Sequence, residues 1–384
     1  MIKVGFIGAV SKEWMGGLNY YRNLFFALDT LKDKKLQIFV FVGKKTDSEI
    51  KKMFTSYATV IEDSLFDQGS VKWYFSKIMQ YFFNSSLIYA NFFQKYDIQI
   101  LSHTSLVNVK HTKTINWIPD FQHVHLPEMF SLKEVNYRNK KFKRLIKHSD
   151  LIVLSSYDAL KDLNFFSNES ENKARVLQFV SQPDEKFFAL KDSDRKSILD
   201  EYSLPNDFFY MPNQLWKHKN HLFVFRAINE LKQEGVEICV VCSGHLNDYR
   251  NRSHIEEIRN YINNNNLHNN IRLLGLIDYE DVFTLIKFSK AVINPSLFEG
   301  WSSSVEECKS VNKKMILSDL DVHFEQYPTA QFFIRDNLGS LKNILRNCGS
   351  ENDKSHLNSL HIRTQEFAET YANICLEVMQ FSID

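Results

Sequence analysis

The sequence predicts an α/β protein built from two consecutive doubly wound, Rossmann-like domains. Its 384 residues exceed the roughly 250 to 300 at which a single hydrophobic core stops growing, so we expect two domains with a cleft between them. Short apolar runs alternate with helical segments along the chain, which is typical of βα units that form a parallel sheet. This rhythm stops and restarts near the middle of the chain, which indicates two sheets.

Each half of the chain contains five apolar runs that we predict to be buried strands. In the first half they lie at residues 2–8, 36–42, 98–103, 114–119 and 151–156. In the second half they lie at residues 208–213, 237–244, 271–275, 290–296 and 314–319. The polar stretch 180–205 between the two series contains Pro183 and Pro205 and is the predicted linker. A final helix is expected over about residues 355–380.

Composition excludes several classes of protein. The chain is 44% hydrophobic and 24% charged, as folded globular proteins are, and its net charge of +1 gives no overall attraction for nucleic acid. The apolar start, residues 1–10, lacks a small-residue cleavage site and is interpreted as a strand rather than a signal peptide. No apolar run approaches the ~20 residues that span a bilayer. We therefore expect a soluble or peripheral protein, and its expected location is cytoplasmic.

The five cysteines are predicted to be reduced and structural, because an odd number in so long a chain does not make a disulfide framework. Cys239 and Cys242 have the C-x-x-C spacing of a metal or redox pair. They lie in an apolar run, however, where neighbouring side chains point to opposite faces of a strand. We expect both to be buried.

The segment 294–310, NPSLFEGWSSSVEECKS, is predicted to be a strand end, a tight turn at Gly300 and a helix that starts at Ser303 or the next serine. Serine accepts hydrogen bonds from the first N–H groups of a helix. Those groups and the positive end of the helix dipole favour a bound phosphate. Glu299 and Glu307 suit sugar and ribose hydroxyls better than phosphate. The alternative is that both are ordinary surface carboxylates near a helix start.

A second junction of strand and helix supports the first. The segment 211–221, MPNQLWKHKNH, ends a predicted strand at the equivalent edge of the same domain. It carries Asn213, Gln214, Lys217 and Lys219. A lysine there can neutralise a diphosphate leaving group, whereas the alternative is a solvated basic turn ahead of the helix.

The spacing of Glu299 and Glu307 resembles the E-x7-E motif of glycosyltransferase family 4, the retaining enzymes of the GT-B fold. The Pro-Ser ahead of the first glutamate, the glycine after it and the run MILSD are similar to that family's pattern. The resemblance extends over about residues 208–325 and is weaker in the first 180. The family's arginine before the phosphate lysine is absent, because Asn213 or Gln214 stands there.

The resemblance implies a role for each matching residue. Glu299 would lie near the donor sugar hydroxyls and act in catalysis with Lys219, and Glu307 would bind the ribose. The implied donor-binding set is Gly16, Gly17, Asn213, Gln214, Lys219, Gly300, Trp301, Ser302, Ser303 and Glu307.

The glycine pair, Gly16 and Gly17, follows the first strand and precedes a helix predicted from Tyr20. It looks like the family's glycine-rich loop near the donor phosphates and the acceptor, although the glycines could instead only turn the chain. They do not match G-x-G-x-x-G, and no acidic residue ends the second strand. No dinucleotide cofactor is therefore expected.

The segment 116–130, NWIPDFQHVHLPEMF, resembles the family's His-Asp loop over the donor sugar. Pro119 stands at the usual histidine position, so Asp120 and His123 are the candidate catalytic residues. A metal site from these histidines and this aspartate is an alternative, but further ligands at recognisable spacing are lacking.

The resemblance implies a retaining, metal-independent hexosyltransferase that moves a sugar from a GDP- or UDP-linked donor to a hydroxyl of a glycan or lipid-linked glycan, in surface polysaccharide or lipopolysaccharide synthesis. The nucleotide sugar is a co-substrate, and no other cofactor is expected. Two alternatives stay open. One is a nucleotide-sugar epimerase or hydrolase of the same fold, which needs no acceptor. The other is a non-catalytic protein that binds a sugar or nucleotide.

The expected GT-B domains are an acceptor-side domain over residues 1–185 and a nucleotide-sugar domain over 186–365, with a C-terminal helix over 366–384 returning to the first. The aromatic segment 71–93 and the basic segment 140–148 suit a peripheral enzyme at the inner face of a membrane. The alternative is that the aromatic residues are core and the basic residues a solvated face.

Overall fold

The computed structural model of the protein describes residues 1–8, 15–83, 86–168, 172–248, 250–251, 253–349 and 359–380. The chain divides into two compact units. Unit 1 contains residues 1–121, 136–180 and 361–384, and unit 2 contains residues 122–135 and 181–360. The short segment 122–135 therefore belongs to unit 2, although the chain on both sides of it belongs to unit 1.

The described residues form thirteen strands and sixteen α-helices. The strands are β1 (Ile2–Ile7), β2 (Leu36–Val42), β3 (Thr59–Glu62), β4 (Ile100–Ser102), β5 (Lys113–Ile118), β6 (Leu151–Leu154), β7 (Ala174–Val176), β8 (Phe209–Met211), β9 (Val240–Ser243), β10 (Ile271–Gly275), β11 (Val292–Asn294), β12 (Met315–Ser318) and β13 (Gln331–Phe333). The helices are α1 (Met15–Thr30), α2 (Ser48–Thr55), α3 (Val71–Phe83), α4 (Leu87–Gln94), α5 (Gln122–His125), α6 (Leu132–His148), α7 (Tyr157–Phe166), α8 (Glu185–Ala189), α9 (Asp192–Glu201), α10 (His221–Gln233), α11 (His254–Asn264), α12 (Tyr279–Phe288), α13 (Ser303–Ser310), α14 (Asp321–Gln326), α15 (Leu338–Asn347) and α16 (Ser359–Gln380).

Unit 1 contains a parallel sheet in the order β3-β2-β1-β4-β5-β6-β7. Its strand order reverses between β1 and β4, which is the point in an open α/β sheet where ligands usually bind. The glycine pair was wrongly predicted to lie ahead of a helix. Because α1 begins at Met15, Gly16 and Gly17 lie in its first turn, and residues 9–14 of the preceding loop lie outside the described residues.

The C-terminal helix α16 packs within unit 1. Its Tyr371 ring lies 6.1 Å from that of Phe6 in β1, and its Phe367 ring lies 6.4 Å from that of Tyr20 in α1. Arg175 in β7 donates a hydrogen bond of 2.9 Å to the Glu377 carboxylate. The start of the predicted final helix, before residue 359, lies outside the described residues.

Unit 2 contains a parallel sheet in the order β10-β9-β8-β11-β12-β13, with its reversal between β8 and β11. Apolar side chains cover both faces, as buried parallel strands require. Cys242 and Cys239 are buried in different core clusters on the two sides. Burial raises the pKa of Cys239 to about 11. The prediction that both cysteines are structural and buried is confirmed.

All ten predicted strands are present, but the prediction missed β3, β7 and β13. Each of the three lies at an edge of its sheet and is only partly buried, so no long apolar run marks it. The predicted linker is also corrected. It contains α8 and α9, whose Phe187, Ile198 and Leu199 are buried in unit 2. Among the described residues, no helix is long and apolar enough to cross a membrane.

Candidate active site

Helix α13 begins at Ser303, as predicted, with Ser302 as its N-cap residue. The predicted reason was wrong, however, because the Ser302 side chain does not cap the helix. Its hydroxyl instead accepts a hydrogen bond from Asn294 Nδ2 (3.1 Å) and lies 3.2 Å from Ser304 Oγ. The first-turn N–H groups of α13 are thus not capped by the Ser302 hydroxyl, which leaves the positive end of the helix dipole uncompensated by that side chain.

Glu299 lies in the turn ahead of α13 and collects three hydrogen bonds on one oxygen. Its Oε1 accepts from Lys219 Nζ (2.5 Å), Ser296 Oγ (2.7 Å) and Asn294 Nδ2 (3.4 Å). Only 9% of the Glu299 side chain and 14% of the Lys219 side chain are exposed. The two residues therefore form one nearly buried ion pair that joins the two predicted phosphate-binding junctions.

The charge state of this pair follows from its surroundings. Burial by itself would raise the pKa of Glu299, but the charge of Lys219 and the hydrogen bonds from Lys219 and Ser296 outweigh burial and lower that pKa to about 2. Glu299 is consequently a carboxylate at neutral pH. A further bond, from Leu297 N to His218 O (2.8 Å), ties the two loops together through their backbones.

Lys219 ends a single turn of 3-10 helix, Lys217–Lys219, directly before α10. The following Asn220 adopts a left-handed conformation (φ 55°), which turns the chain into α10. Lys217 differs from Lys219 because its side chain is exposed. The Lys217 backbone N–H donates to Asp248 (3.0 Å), so Lys217 fixes the loop by its main chain and not by its charge.

Asn213 connects β8 to the start of α13. Its buried Oδ1 accepts from Ser304 Oγ (3.0 Å), whereas its Nδ2 has no hydrogen-bond partner within the described structure. A buried amide donor without a partner calls for an explanation, and a ligand oxygen would supply one. The backbone of Asn213 and Gln214 is crossed closely by Gly244 (φ 130°), where a Cβ atom would lie 2.9 Å from Gln214 N. Only glycine fits there.

His221 and His323 are buried histidines whose pKa values are affected by the ion pair. Burial lowers the pKa of His221, at the start of α10, to about 3. Burial also lowers the pKa of His323 in α14, although the Glu299 carboxylate opposes this. Both rings are therefore neutral at pH 7. Neither histidine lies in a motif that marks it in the sequence.

Glu307 lies in the second turn of α13, one helical turn in, as predicted. It is 7% exposed, and its Oε1 accepts a hydrogen bond of 3.0 Å from the hydroxyl of Tyr279. The interpretation of Glu307 as an ordinary surface carboxylate is therefore wrong. Tyr279, the first residue of α12, orients this carboxylate, and sequence spacing gave no sign of the contact.

Gln326 fixes the start of α13 from another helix. Its Oε1 accepts from Ser302 N (3.1 Å), and its Nε2 donates to Ser302 O (2.8 Å) and to Glu306 Oε2 (3.2 Å). Gln326 and Glu306 are both fully buried. The amide thus holds both backbone polar groups of the N-cap residue. The sequence of α14 contains no motif that predicts this contact.

The segment 122–135 is held to unit 2 by Arg250. The Arg250 guanidinium donates to Gln122 Oε1 (3.2 Å) and lies 5.0 Å from the Trp216 ring and 5.1 Å from the Phe130 ring. The ring of His125 also lies 5.0 Å from that of Phe298. These contacts explain why α5 belongs to unit 2.

The structure places the predicted site residues in two groups. Unit 2 contains Glu299, Lys219, His123, Asn213, Gln214, Gly300, Trp301, Ser302, Ser303 and Glu307, whereas unit 1 contains Gly16, Gly17 and Asp120. Within unit 2, one hydrogen bond links Lys219 to Glu299. His123 in α5 is 1% exposed, and Asp120 is partly buried. Gly300 does not adopt a left-handed backbone, so its backbone conformation does not by itself require glycine.

The same region contains histidines and carboxylates, which are the side chains that could bind a metal ion. Among the described residues, no three His, Cys, Asp or Glu side chains are grouped so that they could hold a metal ion. The carboxylate of Asp319, the residue after β12, accepts a hydrogen bond from Arg335 Nε (2.7 Å). Lys219 and the N-terminus of α13 are positive groups at the site.

Comparison with known proteins supports this picture. Residues 196–327 match the family of glycosyl transferases group 1. A Methanocaldococcus jannaschii protein described as an uncharacterized glycosyltransferase is 24% identical over 183 residues, which is 46% of this chain and 42% of that relative. The chain thus matches about two fifths of the relative's length.

Two solved structures are similar along almost the whole chain. The HepE protein of Anabaena, in complex with UDP and glucose, has a TM-score of 0.66 and 13% identity, covering 99% of this chain and 100% of that one. The lipopolysaccharide outer core galactosyltransferase WaaB, in its apo form, has a TM-score of 0.61 and 14% identity, covering 98% and 99%. The chain has the GT-B fold, and the matched domain supports a glycosyltransferase.

Proposed function

We propose that the protein is a retaining, metal-independent glycosyltransferase that transfers a sugar from a nucleoside diphosphate to a hydroxyl of a glycan or lipid-linked glycan. The observation that carries the proposal is the nearly buried ion pair of Lys219 and Glu299 beside the N-terminus of α13, which its N-cap serine leaves uncapped. This arrangement offers a cation and the first-turn N–H groups of α13 to a diphosphate, and a carboxylate to a sugar.

In the proposed reaction, the bond between sugar C1 and the diphosphate oxygen breaks while a bond from C1 to the acceptor oxygen forms on the same face. The acceptor proton passes to the departing diphosphate, so atoms and charge balance. Negative charge accumulates on the leaving oxygen as the bond breaks. Lys219 and the N–H groups of α13 stabilise that charge, and this stabilisation is largest in the transition state.

The remaining residues receive roles from the resemblance and the geometry together. Glu307, oriented by Tyr279, is proposed to bind the ribose, and the unpaired amide of Asn213 to meet a donor oxygen. The roles that the resemblance implies are also proposed for Gly16 and Gly17 in the first turn of α1, and for Asp120 and His123. Retention of configuration and independence of metal also rest on that resemblance.

The substrates are proposed from the similar proteins. HepE has been crystallised with UDP, which favours UDP over GDP as the nucleotide here. WaaB is a lipopolysaccharide galactosyltransferase, which favours a hexose and an acceptor in surface polysaccharide or lipopolysaccharide synthesis. A cytoplasmic location fits such donors.

A thermal-shift screen with UDP, GDP, ADP and the matching nucleosides tests the first step, because a ligand that binds only the folded state raises the melting temperature. We expect one diphosphate to stabilise the protein and its nucleoside to do so much less, with the Glu307→Ala variant as the matched control that loses the shift. No stabilisation by any diphosphate would contradict the proposal.

Turnover separates the remaining alternatives. Incubation of the nucleotide sugar with and without an acceptor extract should release nucleoside diphosphate only when acceptor is present. Release or a changed sugar without acceptor would indicate a hydrolase or epimerase, and binding without any turnover would indicate a non-catalytic protein. The anomeric configuration of the product, read by NMR, tests retention.

A further inference from the structure

Helix α3 of unit 1 exposes a row of large apolar side chains. Val71 is 86% exposed, Tyr74 and Phe75 are each 57% exposed, and Ile78 is 48% exposed. Their positions, i, i+3, i+4 and i+7, place them on one face of the helix. We call these four residues the α3 stripe. The sequence-based alternative that the aromatic residues of this segment are core is wrong for the stripe.

The opposite face of α3 holds the helix to unit 1. Ser76 is 1% exposed, and its hydroxyl lies 3.1 Å from the hydroxyl of Tyr89 in α4. In α4, Tyr89, Ala90 and Phe93 are buried in the core, as predicted for aromatic residues at helical spacing. The helix is therefore anchored on one side, and the stripe is the side that it presents to solvent.

Basic residues border the stripe. The Lys77 ammonium lies 5.7 Å from the Trp73 ring, and the pKa of Lys77 is lowered by partial desolvation and then by the positive charge of Arg144 in α6. Lys77 of α3 is thus within the electrostatic influence of Arg144 of α6. Residues 136–148 of α6 contain no Asp or Glu, and their basic residues are Arg138, Lys140, Lys141, Lys143, Arg144 and Lys147.

We propose that the α3 stripe and the basic residues of α6 form a docking surface for an anionic lipid bilayer. A surface of apolar side chains bordered by basic residues matches the boundary between acyl chains and anionic headgroups. Tyr74, Phe75 and Ile78 would enter that boundary, and the α6 cations would contact lipid phosphates. Nucleic acid offers no partner for the apolar row, and a second copy would bring the same positive charges together.

This proposal does not depend on the proposed reaction, so it is tested without any sugar donor. Cosedimentation of the full chain is measured with vesicles of phosphatidylcholine alone and with vesicles of equal parts phosphatidylglycerol and phosphatidylcholine. We expect binding to the anionic vesicles only. Binding should weaken when NaCl rises from about 0.1 M to about 1 M, which shortens the Debye length from about 10 Å to about 3 Å.

Variants locate the surface. Two double variants should each lower the vesicle partition coefficient at least about tenfold. One combines Phe75→Ser with Ile78→Ser, and the other combines Lys77→Glu with Arg144→Glu. Leu276→Ser and Lys196→Glu, which change an exposed leucine (65% exposed) and an exposed lysine in unit 2, are the matched controls and should bind as the wild type does.

Three results would overturn the proposal. The first is no binding to either vesicle, and the second is an equal loss of binding in the control variants. The third is a concentration-dependent dimer, seen by analytical ultracentrifugation, that the Phe75→Ser and Ile78→Ser changes abolish, because the stripe would then be an interface between copies. Circular dichroism of each variant confirms that a loss of binding is not a loss of fold.

Discussion

Lys219 Nζ lies 2.5 Å from Glu299 Oε1, and both side chains are nearly buried. From the sequence, Lys219 is predicted to contact phosphate and Glu299 to contact sugar, but in the structure the two residues form one ion pair. Removal of either partner leaves the other charge buried without its counterion, which costs about 3 to 5 kcal/mol in typical buried pairs. Effects on catalysis must therefore be separated from effects on stability.

Lys219→Ala should lower kcat about a hundredfold or more, because a lost donor to the leaving oxygen costs roughly 2.7 to 4 kcal/mol of barrier. Lys217→Ala is the matched control. Its side chain is exposed and its anchoring bond is made by the backbone, so kcat should stay within about tenfold of the wild type.

The double variant Lys219→Met with Glu299→Gln separates charge from stability. It removes both members of the pair, so urea unfolding should show most of the lost stability restored while kcat stays low. Recovery of kcat together with stability would mean that the lysine acts only in the fold. A larger loss of kcat in Lys217→Ala than in Lys219→Ala would show that Lys217, and not Lys219, contacts the phosphate.

Glu307→Ala should raise the KM for the nucleotide sugar about tenfold or more, because a hydrogen bond to a charged group contributes about 1.5 to 3 kcal/mol. Tyr279→Phe removes only the hydroxyl that orients Glu307 and should raise KM by about two- to fivefold. Glu299→Ala should instead act mainly on kcat. Steady-state kinetics of the three variants measure these changes. A wild-type KM in Glu307→Ala would rule out ribose binding by this carboxylate.

The pH dependence of stability reports the charge of Glu299. Its folded pKa of about 2 lies below the ordinary glutamate value of 4.5, so the stabilisation is complete above about pH 5 and is lost as the pH falls from about 4.5 through about 2. Between pH 7 and pH 3 the wild type should lose about 2 kcal/mol more unfolding free energy than Glu299→Gln.

Urea unfolding at the two pH values measures this difference in each protein. The comparison with Glu299→Gln cancels the titration of the other carboxylates, because they are common to both chains. Equal losses in the two proteins would show that the pKa of Glu299 is not depressed in the folded state.

Gln326→Met should weaken the binding of the stabilising nucleoside diphosphate about tenfold, because Ser302 would lose the amide that fixes its N–H and C=O at the start of α13. The unfolding free energy should fall by about 1 to 3 kcal/mol, since buried polar groups lose their partner. Isothermal titration calorimetry measures the affinity. The exposed Gln365→Met is the control and should leave both quantities unchanged.

A folded Gln326→Met protein with wild-type affinity would show that Gln326 supports only the fold. Gln326 is expected to act by positioning, so its substitution should raise KM more than it lowers kcat. A change confined to kcat would require a direct role at the reacting atoms, which the structure does not give it.

The amino-acid sequence by itself determined the architecture and the two junctions of the site. Runs of apolar residues fix which segments become buried strands, and a strand, a turn and a helix start at Ser303 follow from local hydrophobicity and turn chemistry. The placement of Glu307 one turn into α13 needs only the helical repeat. The edge strands β3, β7 and β13 escaped prediction because half-exposed strands lack a continuous apolar run.

Only the tertiary structure decided which side chains meet. Lys219 and Glu299 are 80 residues apart in the chain, Gln122 and Arg250 are 128 apart, and Ser302 and Gln326 are 24 apart. No local pattern encodes such pairs, because they arise when separate βα units pack at the same edge of a sheet. Packing also assigned the segment 122–135 to unit 2 and left the α3 stripe exposed. Hydrophobic periodicity predicts that a helix has an apolar face, but the surrounding fold decides whether that face is covered.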